Sequence, residues 1–362
     1  MGDIRHDWTR EEVVETYNKP LMELLYEAAT VHREHHDPNT VQVSTLISIK
    51  TGGCPEDCGY CPQAARYHTD IEGNELMSVR QVKAQALRAK ASGSSRVCMG
   101  AAWRNVKDGP EFDQVLEMVR TINKLDMEVC CTLGMLTENQ AKRLAEAGLY
   151  AYNHNLDTSE DYYKDVISTR AFEDRLETIG NVRKTNVTVY SGGIIGMGET
   201  LEDRAGMLVA LSTLDPQPES VPINALVPVP GTPMEEMQPV SIWEMIRMVA
   251  TTRIVMPRTQ VRLSAGRTEM SREGQALCFF AGANSIFAGD KLLTTPNPDV
   301  DQDMEMFREL GLNPQKPFVK MEQPRTVEAE DSTLQPLGEK PKWSRPAHKI
   351  ERNEKARQKR TS

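Results

Sequence analysis

Three cysteines, Cys54, Cys58 and Cys61, stand within eight residues of one another near the start of the chain. Thiolates are soft ligands that suit zinc or iron-sulfur clusters, so the spacing has to decide between the two. Structural zinc usually takes four ligands in two close pairs, and no second close pair follows at the expected distance. Three close cysteines suit an iron-sulfur cubane better, because each thiol binds one iron and the fourth iron stays free for a substrate.

The triplet follows the first of eight short apolar runs that alternate with helical patterns along most of the chain. This alternation is typical of repeated βα units around a parallel sheet. Eight strands favour an α/β fold of the (βα)8 TIM-barrel type over an open doubly wound sheet, which usually has a glycine-rich first turn. The predicted strands are 46–50, 96–101, 128–133, 151–157, 187–193, 220–226, 260–265 and 285–289.

Three regions are predicted: an N-terminal helical extension at 1–44, the barrel domain at 45–316 and a disordered polar and basic tail at 317–362. The tail carries prolines and many Lys and Arg residues, with almost no apolar periodicity. A contact between this tail and RNA or an acidic partner is left open, but a solvated extension is the plainer interpretation.

The composition excludes several classes of protein. A formal net charge of -9 argues against nucleic acid as the main partner. No apolar run is long enough to span a membrane, and residues 1–10 are too polar for a secretory signal, so we expect a cytoplasmic protein. Seven cysteines, an odd number, indicate metal binding or catalysis more readily than disulfide pairing.

The pattern Cys-x3-Cys-x2-Cys, with Tyr60 just before Cys61, resembles the signature of the radical S-adenosylmethionine (SAM) superfamily. A second segment, Gly192-x-Ile194-x-Gly196-x-x-Glu199, resembles the adenine-contacting segment of these enzymes, and it follows the predicted fifth strand. The resemblance implies a 4Fe-4S cluster that cleaves SAM to a 5'-deoxyadenosyl radical. It places Tyr60 and Ile194 near the adenine.

Further segments resemble the biotin synthase family over nearly all of residues 40–315. This resemblance implies that sulfur is inserted into dethiobiotin, with two SAM molecules consumed. It also implies an auxiliary 2Fe-2S cluster, an electron-donor protein of the flavodoxin or ferredoxin type, and a homodimer. The segments are 48–63, 98–103, 152–158, 220–224, 261–267 and 292–298.

By this resemblance Cys98, Cys130 and Arg262 hold the auxiliary cluster; the alternative for Arg262 is an ion pair with a buried carboxylate. Where the family has a third cysteine, this chain has Tyr190. A phenolate can bind iron, but a phenol pKa of about 10 and its bulk predict a disrupted site unless the site adapts. Cys131 is a poor replacement, because neighbours on a strand face opposite sides.

Asn153, Asn155 and Asp157 alternate along the predicted fourth strand and are therefore expected to share one face. Three polar side chains facing a barrel core are costly unless they bind something. The resemblance implies that Asn155 and Asp157 hold the ribose hydroxyls of SAM. It implies that Asn153, with Asn224, binds the ureido ring of dethiobiotin.

Thr294 and Thr295 follow the last predicted strand. The resemblance implies that they meet the substrate carboxylate, but a plain turn or capping role explains them equally well.

Two alternative functions remain at this stage. One is a radical SAM homologue that cleaves SAM but has an altered or impaired auxiliary cluster because of Tyr190. The other is a non-catalytic zinc or iron-sulfur protein, which predicts no SAM cleavage under any reducing condition.

Overall fold

The structure, a computed structural model, describes residues 4–289 and 291–316, so the predicted tail at 317–362 lies outside the described residues. A closed barrel of parallel strands forms its centre, and the predicted (βα)8 fold is confirmed. The barrel strands are β1 Thr40–Lys50, β2 Arg96–Ala101, β3 Glu128–Thr132, β4 Ala151–Asn153, β5 Thr188–Tyr190, β6 Gly193–Ile195, β7 Ser220–Ala225, β8 Gln260–Leu263 and β9 Ala283–Ala288.

The barrel closes because β1 pairs in parallel with β2 on one side and with β9 on the other. Two short strands, β5 and β6, share one of the eight places, and both pair with β7. The single strand predicted at 187–193 is therefore interrupted. The reason lies at Gly192, where an added Cβ would stand only 2.0 Å from the carbonyl oxygen of Pro222. Only glycine allows the backbone to approach β7 this closely.

The fourth strand is shorter than predicted, because β4 ends at Asn153. Asp157 has a φ of +70°, in the left-handed region that a continuing strand does not use. Asn155 and Asp157 therefore lie in the loop after β4. The prediction that these two residues share a strand face with Asn153 was wrong, because the loop sets their positions instead.

Helices cover the outside of the barrel. Several begin with a capping box, as at Ser78 and Thr137, where the hydroxyl accepts a hydrogen bond from the third backbone N–H of the helix. The helices are α1 Arg10–Asn18, α2 Leu21–His35, α3 Val79–Ala91, α4 Pro110–Asn123, α5 Glu138–Glu146, α6 Tyr163–Val166, α7 Phe172–Arg183, α8 Leu201–Ser212, α9 Ile242–Val255, α10 Arg272–Phe280 and α11 Val300–Leu310.

The helices α1 and α2 precede the barrel and pack against its outer helices α8 and α9. Leu24, Leu25 and Ala28 on α2 are buried in this contact. The first strand begins at Thr40 rather than at residue 46, because Thr40 and Val41 pair with the short strand β12, Asn313–Pro314.

A two-stranded hairpin, β10 Lys291–Leu292 and β11 Thr295–Pro296, follows the last barrel strand. Its turn residue Leu293 lies against β2, where an added Cβ on Gly100 would stand 2.8 Å from the Leu293 side chain. The hairpin therefore covers the barrel mouth. Within the described part of the chain, no helix is long and apolar enough to cross a membrane.

Candidate active site

The three cysteines of the triplet lie in a loop, residues 51–65, that leaves the C-terminal end of β1. We call it the cluster loop. The backbone N–H of Cys54 donates to Gln63 O at 3.0 Å, and the N–H of Ala65 donates to Cys54 O at 2.7 Å. Gly52 and Gly53 have φ values of +74° and +71°, which permit the sharp exit from the strand. The loop thus folds back on itself at the catalytic face of the barrel.

A second loop braces the cluster loop through Asp57. Its carboxylate accepts the backbone N–H groups of Ser168 at 2.9 Å and Thr169 at 3.1 Å. Nearby, the N–H of Gly59 donates to Val166 O at 2.9 Å. Burial raises the pKa of the Asp57 carboxyl, but the hydrogen bonds from Ser168 and Thr169 outweigh it and lower the pKa to about 2.

Of the three thiols of the loop, Cys58 is buried, and Cys54 and Cys61 are partly exposed. Burial raises the pKa of the Cys58 thiol to about 11 and that of Cys61 to about 12. A bound metal reverses this effect, because a coordinating thiol loses its proton. A positive charge next to these thiols favours the ionised form that binds metal.

Arg170 supplies a positive charge next to these thiols. Its Nη2 lies 4.0 Å from Cys58 Sγ, and its side chain is 8% exposed. Its Nε has no hydrogen-bond partner among the described residues, although Glu56 Oε1 is 3.9 Å away. A buried donor is thus available beside the triplet.

The cluster loop offers three free thiols as a donor set for a metal centre. Iron-sulfur clusters are held by cysteine thiolates, so the chemistry of these donors fits a 4Fe-4S cluster that takes one thiolate on each of three irons. Within residues 4–289 and 291–316, no three His, Cys, Asp or Glu side chains are arranged to hold a single metal ion.

The four predicted SAM-binding residues come together beside the loop. Tyr60 Oη donates to Asp157 Oδ2 at 2.8 Å, and Arg175 Nη2 donates to the same carboxylate oxygen. The backbone N–H of Ile194 donates to Asp157 O at 2.8 Å. Asn155 Oδ1 accepts the N–H of Gly192 at 3.2 Å. The Asp157 carboxylate keeps acceptor capacity for a ribose hydroxyl, because each of its oxygens can accept more than one hydrogen bond.

The two predicted substrate asparagines lie on β4 and β7, with the place shared by β5 and β6 between them. Asn224 Oδ1 accepts the backbone N–H of Ala265 at 3.1 Å, and its Nδ2 donates to Gly193 O at 2.9 Å. Asn224 therefore also ties β7 to its neighbours. Asn153 Nδ2 donates to Thr132 Oγ1 at 3.3 Å from the end of β4.

Thr294 and Thr295 lie in the hairpin over the mouth. Thr295 Oγ1 donates to Leu292 O at 3.1 Å, which is the plain turn role. Both threonines therefore lie at the edge of the site.

Deeper in the barrel, Cys98 and Cys130 are register partners on β2 and β3. Together with Ala151 and Tyr190 they line a separate buried cluster, which we call the auxiliary chamber. Burial raises the pKa of Cys98, but its contact with Cys130 and the charge of Arg262 outweigh it and lower the pKa. The chamber therefore favours an anionic thiolate at Cys98.

Arg262 points into this chamber and is 1% exposed. Its Nε donates to Ser285 Oγ at 2.9 Å, and its Nη2 donates to Gln42 Oε1 at 3.0 Å. Among the described residues no carboxylate pairs with it, so the alternative of a buried ion pair was wrong. By contrast, the buried Arg267 pairs with Asp303. The positive charge of Arg262 instead acts on the neighbouring Cys98 thiol and favours its thiolate, the form in which a cysteine binds iron.

Tyr190 occupies the position expected for a third cysteine. Its ring centroid lies 5.0 Å from Arg96 Cζ and 5.5 Å from Arg262 Cζ. Its hydroxyl accepts a hydrogen bond from Arg96 Nη1. Burial raises the pKa of the phenol well above its usual range, so the isolated chamber holds a neutral phenol. Three of the four expected ligand positions of the auxiliary cluster therefore carry the expected residue, and the fourth carries Tyr190.

Cys131 does not replace the missing thiol. It packs in the main core between the barrel and its helices, and it is not part of the auxiliary chamber. The prediction that Cys131 faces away from Cys130 is confirmed.

Sequence reasoning missed several residues of both sites. Arg96 stands two residues before Cys98, so strand alternation could have placed it on the chamber side. Arg175 is a charged residue on the otherwise uncharged buried face of α7, which is only a weak indication of a role in the site. Asp57 and Arg170 lie in loops, where periodicity gives no signal.

Two family patterns match the chain. The radical SAM superfamily matches residues 48–211, and the Biotin and Thiamin Synthesis associated domain matches residues 222–313. The biotin synthase of Christiangramia forsetii is 84% identical, with 98% of each chain covered. That of Flavobacterium psychrophilum is 83% identical, again with 98% of each chain covered. The chain belongs to the biotin synthase family. Membership implies a 4Fe-4S cluster with SAM and an auxiliary 2Fe-2S cluster.

Solved structures support the fold of this chain. Methylornithine synthase (PylB) has a TM-score of 0.71 at 18% identity, and the match covers 85% of this chain and 94% of that chain. The hydrogenase maturase HydG has a TM-score of 0.73 at 17% identity, over 85% and 72% of the two chains. At these identities the likeness shows the shared barrel.

Proposed function

We propose that this chain converts dethiobiotin to biotin by inserting one sulfur atom between two unactivated carbons. The observation that carries the proposal is the presence of two thiol sites in one barrel, the cluster loop at the mouth and the auxiliary chamber inside. The bound clusters and SAM supply hydrogen abstraction and a sulfur atom, chemistry that amino-acid side chains cannot provide. The protein supplies binding, orientation and exclusion of water.

Cys54, Cys58 and Cys61 would hold the 4Fe-4S cluster. Their loop is fixed by Asp57, and Arg170 places a positive charge next to Cys58. This arrangement stabilises the ionised thiols that an iron cluster requires.

Tyr60, Asn155, Asp157 and Ile194 would hold SAM. Their support is the hydrogen-bonded group around Asp157, which leaves backbone and carboxylate acceptors at the mouth. Arg175 orients the Asp157 carboxylate from α7.

Asn153 and Asn224 would bind the ureido ring of dethiobiotin, with Thr294 and Thr295 near its carboxylate. The hairpin that carries the two threonines covers the barrel mouth, which supports a role in shielding the bound substrate from water.

Cys98, Cys130 and Arg262 would hold the auxiliary cluster. Their burial and the unpaired charge of Arg262 support an anionic occupant. Tyr190 stands at the fourth ligand position.

Three further features belong to the proposal. The family resemblance supports a homodimer and an electron-donor protein of the flavodoxin or ferredoxin type. Exposed Met22 and Tyr26, one turn apart on α2, offer apolar surface for an interface. The seven free cysteines support a reducing compartment, the cytoplasm.

The test is an anaerobic assay of the reconstituted protein with SAM, dethiobiotin and a reductant, in which biotin and 5'-deoxyadenosine are quantified in the same sample. We expect both products. If neither product forms, the proposal is wrong.

Tyr190 favours one alternative outcome, a homologue that cleaves SAM without inserting sulfur. That outcome would appear in the same assay as deoxyadenosine without biotin, and it would locate the defect in the auxiliary chamber.

A further inference from the structure

The Tyr190 hydroxyl belongs to a charged network on the floor of the auxiliary chamber. Arg96 Nη1 donates to this hydroxyl and also to Gln42 Oε1 at 2.9 Å. Arg96 Nε donates to Glu128 Oε2 at 2.8 Å. Arg96 is fully buried and Glu128 nearly so. The guanidinium is therefore fixed by three partners, and the phenol oxygen is fixed with it.

This network lies at a different depth from the two thiols. Arg96 and Glu128 are register partners, and each stands two residues before the cysteine on its own strand. A parallel strand rises about 3.3 Å per residue, so these residues belong to the layer about 6.6 Å nearer the N-terminal end of the barrel. A cysteine sulfur is bonded directly to Cβ, whereas the tyrosine oxygen lies at the far end of a ring. The Tyr190 oxygen is hydrogen-bonded to the side chain of a residue whose backbone belongs to this next layer.

The ring itself fills the side of the chamber where a third thiol is expected. It packs with Cys98 and Cys130, and the guanidinium groups of Arg96 and Arg262 both lie within cation–π distance of its face. Moving the hydroxyl onto an iron would break the Arg96 contact and both ring contacts.

We propose that Tyr190 takes the place of a ligand without binding iron. The auxiliary cluster of this chain is then held by three protein side chains, Cys98, Cys130 and Arg262, and one iron lacks its second protein ligand. The inference rests on the proposed function, since it requires a cluster in the chamber.

The experiment compares the full-length chain with its Tyr190→Phe and Tyr190→Cys variants, each reconstituted anaerobically with iron and sulfide. Tyr190→Phe keeps the ring and removes only the hydroxyl, so it is the matched control. Resonance Raman spectra report phenolate bound to iron, and iron release to a chelator reports how firmly the auxiliary cluster is held. Cys98→Ala/Cys130→Ala, which keeps only the loop cluster, gives the baseline for both measurements.

We expect no phenolate–iron vibrations in the parent chain, and the same iron release from the parent chain and Tyr190→Phe. Tyr190→Cys should slow release from the auxiliary site about tenfold, the scale on which metal-site substitutions change affinity. Phenolate–iron vibrations that vanish in Tyr190→Phe would overturn the inference. So would equal release from all three chains, or an auxiliary cluster present only in Tyr190→Cys. If the double variant, after reduction with dithionite, shows no 4Fe-4S signal by electron paramagnetic resonance, the proposed function fails instead.

Discussion

The two thiol sites differ in what holds their cysteines in place. The triplet lies in a loop, and that loop is positioned by hydrogen bonds that the N–H groups of a second loop donate to Asp57. Cys98 and Cys130 lie on adjacent strands, where the register of the β-ladder fixes both. A loop can adjust its ligands by small backbone changes, but a strand residue cannot turn to the other face without a shift of its whole strand. Cys131 illustrates the consequence, since it neighbours Cys130 but cannot reach the chamber.

The sites also differ in charge. At the cluster loop, the positive charge of Arg170 lies near the carboxylate of Glu56. In the chamber, Arg96 pairs with Glu128 but Arg262 has no carboxylate partner among the described residues. In the chamber the charge of Arg262 therefore acts on the Cys98 thiol, whereas at the cluster loop the charge of Arg170 is shared with a carboxylate.

The largest expected effect is a difference in which products are lost when a cysteine of each site is removed. Cys98→Ala removes a chamber thiol, so we expect biotin to fall below detection while deoxyadenosine still forms. Cys58→Ala removes a loop thiol, and we expect neither product. The measurement is the same two-product assay, with iron counted in each variant.

The matched control is Cys131→Ala, a buried cysteine on the same strand that faces the helices. It should retain both products and both clusters. Loss of the auxiliary iron in Cys131→Ala, as in Cys98→Ala, would mean that the chamber side and the helix side of β3 do not differ in cluster binding. The contrast between the two thiol sites would then be wrong.

Much of the fold could be predicted from the sequence, because apolar residues recur along it with the spacing of strands and helices. All eight barrel strands were placed correctly in order. The errors arose where the close contact of two backbone segments or an unusual backbone conformation, and not the pattern of side chains, determines the structure. Gly192 interrupts the fifth strand, and the left-handed Asp157 follows an early end of the fourth.

The site was predicted unevenly for a related reason. The cysteines have a recognisable spacing, and Tyr60, Asn155 and Asp157 do converge as expected. Arg170 and Asp57 were missed because their partners are distant in sequence. The lack of a carboxylate at Arg262 could not be predicted either, since it depends on what every neighbouring strand presents to the chamber.

An intermediate effect tests whether Arg170 acts on the cluster directly. Arg170→Gln removes a positive charge and a donor 4.0 Å from Cys58 Sγ. Reduction adds negative charge to the cluster, so we expect a more negative midpoint potential in this variant. Loss of one charge-assisted hydrogen bond, about 1.5 kcal/mol, predicts about a tenfold slower formation of deoxyadenosine.

Arg104→Gln is the control, because Arg104 also pairs with Glu56, with Nε 3.5 Å from Oε1, and is more exposed. Its midpoint potential should stay close to that of the parent chain. Equal shifts in both variants would show that Arg170 acts through Glu56 and the loop, and not through Cys58.

The smallest expected effect concerns the anchor of the cluster loop. Asp57→Asn keeps the shape of the side chain but removes the charge that accepts the N–H groups of Ser168 and Thr169. We expect the free energy of unfolding at pH 7 to fall by about 1 to 2 kcal/mol, measured by chemical denaturation under anaerobic conditions. Asp161→Asn is the control. Its side chain is 62% exposed in a surface pair with Arg10, and its loss should change stability by less than about 0.5 kcal/mol.

The pH dependence distinguishes a charge effect from a packing effect at Asp57. The pKa of this carboxyl is lowered in the folded chain to about 2, from an unfolded value of about 3.9. Its stabilising contribution is therefore complete above the unfolded value and is lost as the pH falls from about 4 toward 2. The difference between the parent chain and Asp57→Asn should be constant between pH 7 and pH 5 and should narrow below pH 4. A difference that stays constant down to pH 3 would mean that it does not depend on the ionisation of Asp57, and the hydrogen-bonded charge would then not be what positions the triplet.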